Sequence, residues 1–180
     1  MQLTELEQIF DLLKGRPRQH LAAAWAIDAH TIEAVSRAVD MDFLEATLVG
    51  DEKTIEQVCE NHGIDSGKFN IVHEPTDISA VVGATDLINS QKCNLLMKGS
   101  LSTDKYIRAI LNKDRGLMDH GSVLSHVTVM RIASYHKLLI IGDVAIIPLP
   151  DLKQKLAIAT FCLRSGRGMI ATSPIIRILW

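Results

Sequence analysis

Four short apolar runs, at residues 21–26, 44–49, 69–72 and 94–97, alternate along this chain with amphipathic segments of 10 to 15 residues. A run of four to six apolar residues is too short for a buried helix and reads as a strand. Apolar residues spaced three and four apart read as a helix lying over it. Strand, crossover helix and strand in repetition make neighbouring strands parallel and put helices on both faces. The expected fold is therefore α/β, a three-layer α/β/α sandwich on a mostly parallel sheet. Asp28 and Asp51 stand where the crossover helices would be capped, and Ile32 and Val35, then Ile55, Val58 and Cys59, supply their inner faces. Further helices are expected over 3–13, with Thr4 as cap, over 78–90 and over 103–111. After Leu111 the rhythm changes. Residues 123–132 and 138–141 read as two strands joined by a short turn, an antiparallel hairpin that would make the sheet mixed. Pro148 and Pro150 stop the chain, and Asp151 starts another helix.

Composition excludes several classes of protein. Among 180 residues, 47% are hydrophobic and 22% charged, the balance of a folded domain rather than a disordered chain. Lys and Arg number 19 against 21 Asp and Glu, without the basic excess of a general nucleic-acid binder. No apolar run reaches the roughly 18–20 residues of a membrane span. The first ten residues carry Glu5 and Glu7 and lack the pattern of a signal peptide. Cys59, Cys93 and Cys162 are odd in number and far apart, so they suggest neither a disulfide framework nor a metal knuckle. A reducing, cytoplasmic setting is expected. The charge is uneven: residues 1–150 hold 14 Lys and Arg against 20 Asp and Glu, whereas residues 151–180 hold 5 against 1.

The segment from Leu95 to Thr103 carries the most chemical information. An apolar strand runs into Lys98-Gly99-Ser100, then into hydroxyls at Ser102 and Thr103 and a helix. Ligands of open α/β sheets bind at the carboxyl ends of strands. Free N–H groups at a helix start favour anions, Gly99 would let a ligand approach the backbone, and Lys98 and Arg108 would add charge. The full P-loop pattern is missing, and a capped helix start with a solvated lysine fits the spacing equally well. Other motifs fail. Ser125, His126 and Asp143 are the right types for a triad, but neighbours on a strand point to opposite faces. His73-Glu74-Pro75 begins like a zinc-protease helix, then meets proline and lacks the second histidine. Gly166-Arg167-Gly168-Met169-Ile170-Ala171 has the spacing of a dinucleotide loop but follows a helix. Asp143, at the end of an apolar run, could cap a loop or face a ligand, the structural role being the safer reading.

Taken together, Leu96-Met97-Lys98-Gly99 through Thr103, Ile107-Arg108-Ala109-Ile110-Leu111-Asn112-Lys113, Gly116-Leu117, Leu124-Ser125-His126-Val127, and Tyr135-His136-Lys137-Leu138-Leu139 leading to Asp143-Val144-Ala145 resemble the phosphate acetyl/butyryltransferase family. The Asp28 helix and Leu48-Val49-Gly50-Asp51 match its early part, and the butyryltransferase branch is the nearest. The resemblance spans about residues 21–155. It implies an isopropylmalate dehydrogenase-like fold, here incomplete, with two α/β/α lobes about a cleft. It implies transfer of a short acyl group between coenzyme A and inorganic phosphate, with the thioester as substrate and no metal or other cofactor in the chemical step. Acyl-CoA and phosphate would be the partners of a homo-oligomer, with neither nucleic acid nor membrane. By the same resemblance Thr103 and Arg108 would hold the phosphoryl group, Lys98, Gly99 and Ser100 would shape its loop, and Ser125, His126 and Asp143 would lie at the cleft. Catalytic residues stay unassigned, because the family's late Ser-Arg-x-Asp segment, source of the thiol base, has no counterpart here. Met118 stands where the family often has Arg, and Gly142 where it often has Thr. The expected organisation is a family-like part over 1–158 and an atypical tail over 159–180, the tail reading as a changed frame or early ending. That tail is expected to pack poorly from about Ser165, where Gly166 and Gly168 disfavour a stable helix. An inactive fragment that still binds phosphate or a phosphorylated ligand is the competing expectation.

Overall fold

The computed structural model describes residues 3–169. They fall into two compact units, Gly15–His120 and a second built from the N-terminal segment up to Lys14 with the chain from Gly121 onward.

In the first unit, β1 (Gln19–Ala24), β2 (Leu44–Gly50), β3 (Asn70–His73) and β4 (Leu95–Lys98) form one sheet in the order β3-β2-β1-β4, parallel throughout. Crossovers are made by α2 (Ala29–Asp40), α3 (Glu52–Asn61) and α4 (Asp77–Asn89), and α5 (Thr103–Ile110) follows β4. Alternation along β1 sorts its side chains between two cores. Leu21 and Ala23 pack with Ile32 and Val35 of α2 and Ile55 and Cys59 of α3. Ala22 and Ala24 pack on the other face with Ala80, Val81 and Ala84 of α4, and with Leu101 and Tyr106 of α5 and its approach. The central strand is therefore buried on both faces, and its alanines leave room for helices to lie close.

The caps fall at Asp28, which accepts the Thr31 N–H (3.0 Å), and at Asp51, which accepts that of Thr54 (2.9 Å). Thr76 and Ser79 close a capping box on α4. Such caps are worth about 1 kcal/mol each. Chain order reverses between β1 and β4, so the carboxyl ends of those two strands flank the switch point where ligands of such sheets bind.

The second unit contains β5 (Val127–Met130) and β6 (Leu139–Gly142), an antiparallel pair, with α6 (Leu152–Met169) packed on it through Ile158 and Cys162 beside Gly142. Arg131 grips Glu5 through Nε (2.8 Å) and Nη2 (3.0 Å), tying the N-terminal segment to the end of β5.

Four expectations need correction. The first helix, α1, covers only Gln8–Leu13. Thr4 lies ahead of it, and its N–H donates to Gln8 Oε1 (2.8 Å) rather than its hydroxyl capping the helix. The antiparallel pair is a sheet of its own, so the four-stranded sheet is not mixed. The strand expected at 123–132 shrinks to four residues. Val127 pairs with Gly142, the last residue of β6, so nothing stands opposite Leu124, Ser125 and His126. Lastly, α6 runs through Gly166 to Met169, where the glycines were expected to disfavour a helix. Gly166 is buried on the same i+4 row as Ile158 and Cys162. The rest of the expected tail, residues 170–180, lies outside the described residues.

Candidate functional site

The loop after β4 sits beside the end of β1. Gly99 N–H donates to Ala24 O (2.9 Å), and Ser100 N–H to Trp25 O (3.0 Å). A Cβ on residue 99 would stand 2.5 Å from Trp25 O and 2.8 Å from Ala24 O. Glycine is needed here for approach of one backbone to another, not of a ligand to the backbone, and two of the expected anion donors are already engaged. Trp25 itself has φ 57°, in the left-handed region that bulky residues rarely adopt. Strained backbone of this kind clusters at functional sites. Nothing in the sequence around Trp25 announces it.

Lys98 Nζ folds back onto its own loop, donating to Gly99 O (3.2 Å) and Leu101 O (2.9 Å). The cap of α5 is Ser102, whose hydroxyl accepts the Lys105 N–H (3.3 Å), and Thr103 is the first helical residue. The N–H groups of Thr103 and Asp104 have no carbonyl one turn earlier in the helix, which is the general reason a helix start attracts anions. Thr103, Ser100 and Arg108 are exposed. Arg108 bends back along the helix toward this end, its Nε donating to Asp104 Oδ2 (2.8 Å). Lys105 bonds to Asp77 of α4, and Tyr106 OH donates to Leu96 O (3.1 Å), so α5 is anchored on both sides. Burial raises the Tyr106 pKa, which keeps that phenol a donor. The loop after β4 thus brings together Lys98, Gly99, Ser100 and Thr103, with Arg108 reaching back along α5. It also adds Ser102 and Asp104, the second an acid placed where an anion would sit.

Ser125, His126 and Asp143 belong to the second unit, where they do come together, though not as a triad. Asp143 Oδ2 accepts the backbone N–H of His126 (3.0 Å), and Oδ1 accepts those of Ala145 and Ile146 (2.7 Å each). Burial pushes this carboxyl up, but the N–H groups of Ile146, Ala145 and His126 outweigh it and hold its pKa at about 2. The Ser125 hydroxyl lies near enough to favour the carboxylate, yet its buried oxygen meets no partner in hydrogen-bond geometry. The His126 ring turns instead to Thr128 Oγ1 (3.1 Å). Asp143 is therefore a backbone clamp and a poor proton acceptor near neutrality. Among the described residues no three His, Cys, Asp or Glu converge as metal ligands, and no helix is long and apolar enough to cross a membrane.

Solved phosphotransacylases share this fold. A phosphotransacetylase from Staphylococcus aureus superposes with a TM-score of 0.69 at 16% identity, covering 89% of this chain and 57% of that one. A branched-chain phosphotransacylase from Enterococcus faecalis gives 0.62 at 16% identity, over 83% and 51%. No family model matches the sequence. Individual relatives do. The phosphate butyryltransferase of Clostridium acetobutylicum is 33% identical over 172 residues, 96% of this chain and 57% of that protein. The phosphate acetyltransferase of Thermotoga maritima is 29% identical over 174 residues, 97% and 58%. Over the part it spans, the chain is similar to phosphate butyryl- and acetyltransferases in sequence and to phosphotransacylases in fold. It spans a little over half the length of these two relatives.

Proposed function

We propose that this chain binds inorganic phosphate at the start of α5 and serves acyl transfer between coenzyme A and phosphate. The observation that carries the reading is the Lys98–Thr103 loop at the carboxyl end of β4, on a chain whose relatives are phosphate butyryl- and acetyltransferases. In the reaction a phosphate oxygen attacks the thioester carbonyl, the carbon–sulfur bond breaks, and the CoA thiolate leaves an acyl phosphate behind. Thr103 would offer its N–H and hydroxyl to phosphate. Arg108 would exchange Asp104 for the incoming anion, a swing of one side chain along one helical turn. Lys98 and Gly99 fix the loop; Ser100 and Thr103 face solvent beside it. Ser125 and His126, beside the Asp143 clamp of the second unit, would serve the same reaction. Phosphate acts without metal here, in a cytoplasmic homo-oligomer.

Asp143 favours a second reading, in which phosphate binds without turnover. It is the first candidate to stand in for the family's thiol base, and it is fully engaged by three N–H donors. Two measurements on the 180-residue chain separate the readings. Titration with phosphate should show binding that Arg108→Ala weakens, and thiol release from butyryl-CoA in phosphate buffer should report transfer. Binding without thiol release supports the second reading. No phosphate binding overturns both.

A further inference from the structure

The peptide between Trp25 and Ala26 is reversed relative to the strand that leads into it. Along an extended strand, successive residues turn their backbone groups, like their side chains, to opposite sides. On β1 the carbonyl of His20 accepts the Asn94 N–H (2.8 Å) and that of Ala24 the Gly99 N–H (2.9 Å), both on the β4 side. Continued alternation would turn Trp25 O toward β2 and Ala26 N–H toward β4. The opposite is found. Trp25 O accepts the Ser100 N–H (3.0 Å), and Ala26 N–H donates to Val49 O of β2 (3.2 Å). The left-handed φ of 57° at Trp25 accounts for the reversal. The side chains agree: Ala24 and Trp25, neighbours that a strand would put on opposite faces, both pack with the core that contains Leu101.

Two consecutive carbonyls of one chain segment therefore hold two consecutive amides of the loop after β4. Without the reversal, Ser100 N–H and Val49 O would each lose a partner. The seat is tight, since a Cβ on residue 99 would lie 2.5 Å from Trp25 O. One residue past Ser100, Leu101 is buried in the core on which the indole packs, so side chain and backbone of Trp25 act on the same loop. Glycine and asparagine reach the left-handed region readily, whereas a bulky residue must be held there by its surroundings. We infer that Trp25 is a positioning residue for phosphate. Its reversed peptide fixes Gly99 and Ser100, and through them the approach to Thr103 at the start of α5. The inference rests on the phosphate reading above and adds to it a residue that acts through the loop rather than on the anion.

Four variants of the 180-residue chain test it. Trp25→Gly and Trp25→Asn give up the indole but accept the left-handed backbone. Trp25→Val and Trp25→Ile keep apolar bulk, yet branching at Cβ drives them out of that region. A role in packing alone ranks the variants by apolar size, isoleucine first and glycine last; the positioning role ranks them the other way. Hydrogen exchange at Ser100, read against the amides of the β1–β2 ladder, should keep its protection in the glycine and asparagine variants and lose it in the valine and isoleucine variants. In calorimetric titration with inorganic phosphate, valine and isoleucine should raise the dissociation constant about tenfold, and glycine and asparagine should stay within about threefold. Phosphate affinity that follows apolar size overturns the proposal, as does Ser100 protection or phosphate affinity indifferent to all four substitutions. Should the unsubstituted chain bind no phosphate, the phosphate reading falls, and Ser100 exchange alone decides whether residue 25 sets the loop.

Discussion

Asp143 holds His126 by its backbone N–H, at 3.0 Å, and not by its ring. That contact, with those to Ala145 and Ile146, makes the carboxylate the knot between the strand entry at residues 124–126 and the turn after β6.

A pH dependence follows. The Asp143 pKa lies at about 2 in the folded chain against an ordinary value of 3.8, so the folded form favours the charged state. Its contribution is therefore complete above about pH 4 and disappears as pH falls toward 2. A shift of this size corresponds to at most about 2.5 kcal/mol. Asp143→Ala should lower the protection of the His126, Ala145 and Ile146 amides in hydrogen exchange at pH 7. The gap from the unsubstituted chain should close as the pH approaches 2. Equal protection in both chains at pH 7 would contradict the clamp.

Gly99→Ala should be among the costliest single-atom-scale changes in the first unit. The new methyl meets two backbone carbonyl oxygens, of Ala24 at the end of β1 and of Trp25 just after it, not a flexible side chain. Overpacking of this kind costs roughly 1–3 kcal/mol. Exposed Ser100→Ala next door should stay within about 0.5 kcal/mol. Urea midpoints of the two variants supply the comparison.

Three substitutions on α5 should separate binding from anchoring. Arg108→Ala should leave stability within about 0.5 kcal/mol, since its partner is an exposed i,i+4 acid, yet weaken phosphate binding about tenfold. Lys105→Ala should do the opposite, because Lys105 joins α5 to Asp77 of α4. Asp104→Asn should tighten phosphate severalfold by freeing Arg108 and removing a like charge. Calorimetric titration with phosphate, paired with denaturation, reads all three.

Ser125→Ala should be neutral or slightly stabilising. Its hydroxyl oxygen is buried without a partner, and removing an unsatisfied polar group relieves its desolvation. A loss above about 1 kcal/mol would mean that the hydroxyl has a structural bond after all.

The parallel sheet was legible because each of its strands is an apolar run bounded by a cap or a turn, and Asp28 and Asp51 cap where their positions suggested. The antiparallel pair was legible as a pair but not in extent. Strand length there depends on where the partner stops, and Gly142 ends the ladder while apolar residues continue on the other side. From spacing, Arg108 was read only as adding charge to the anion site. Its engagement with Asp104 follows the i,i+4 rule and could have been read as well. Gly99 was chosen for the right property and assigned the wrong neighbour, because no local pattern says that Trp25 lies beside it. The clamp at Asp143 joins residues 17 apart through backbone groups, which leave no mark in a sequence.

The N-terminal segment belongs with residues synthesised more than a hundred positions later. Leu3 is fully buried and Glu5 grips Arg131, yet at ribosomal rates of about 5–20 residues per second Arg131 emerges on the order of ten seconds after Glu5. During that interval the parallel sheet can form from its own contiguous stretch of chain, while the segment that preceded it off the ribosome waits for its partner. The second unit thus assembles after the first, although it contains residues made before it.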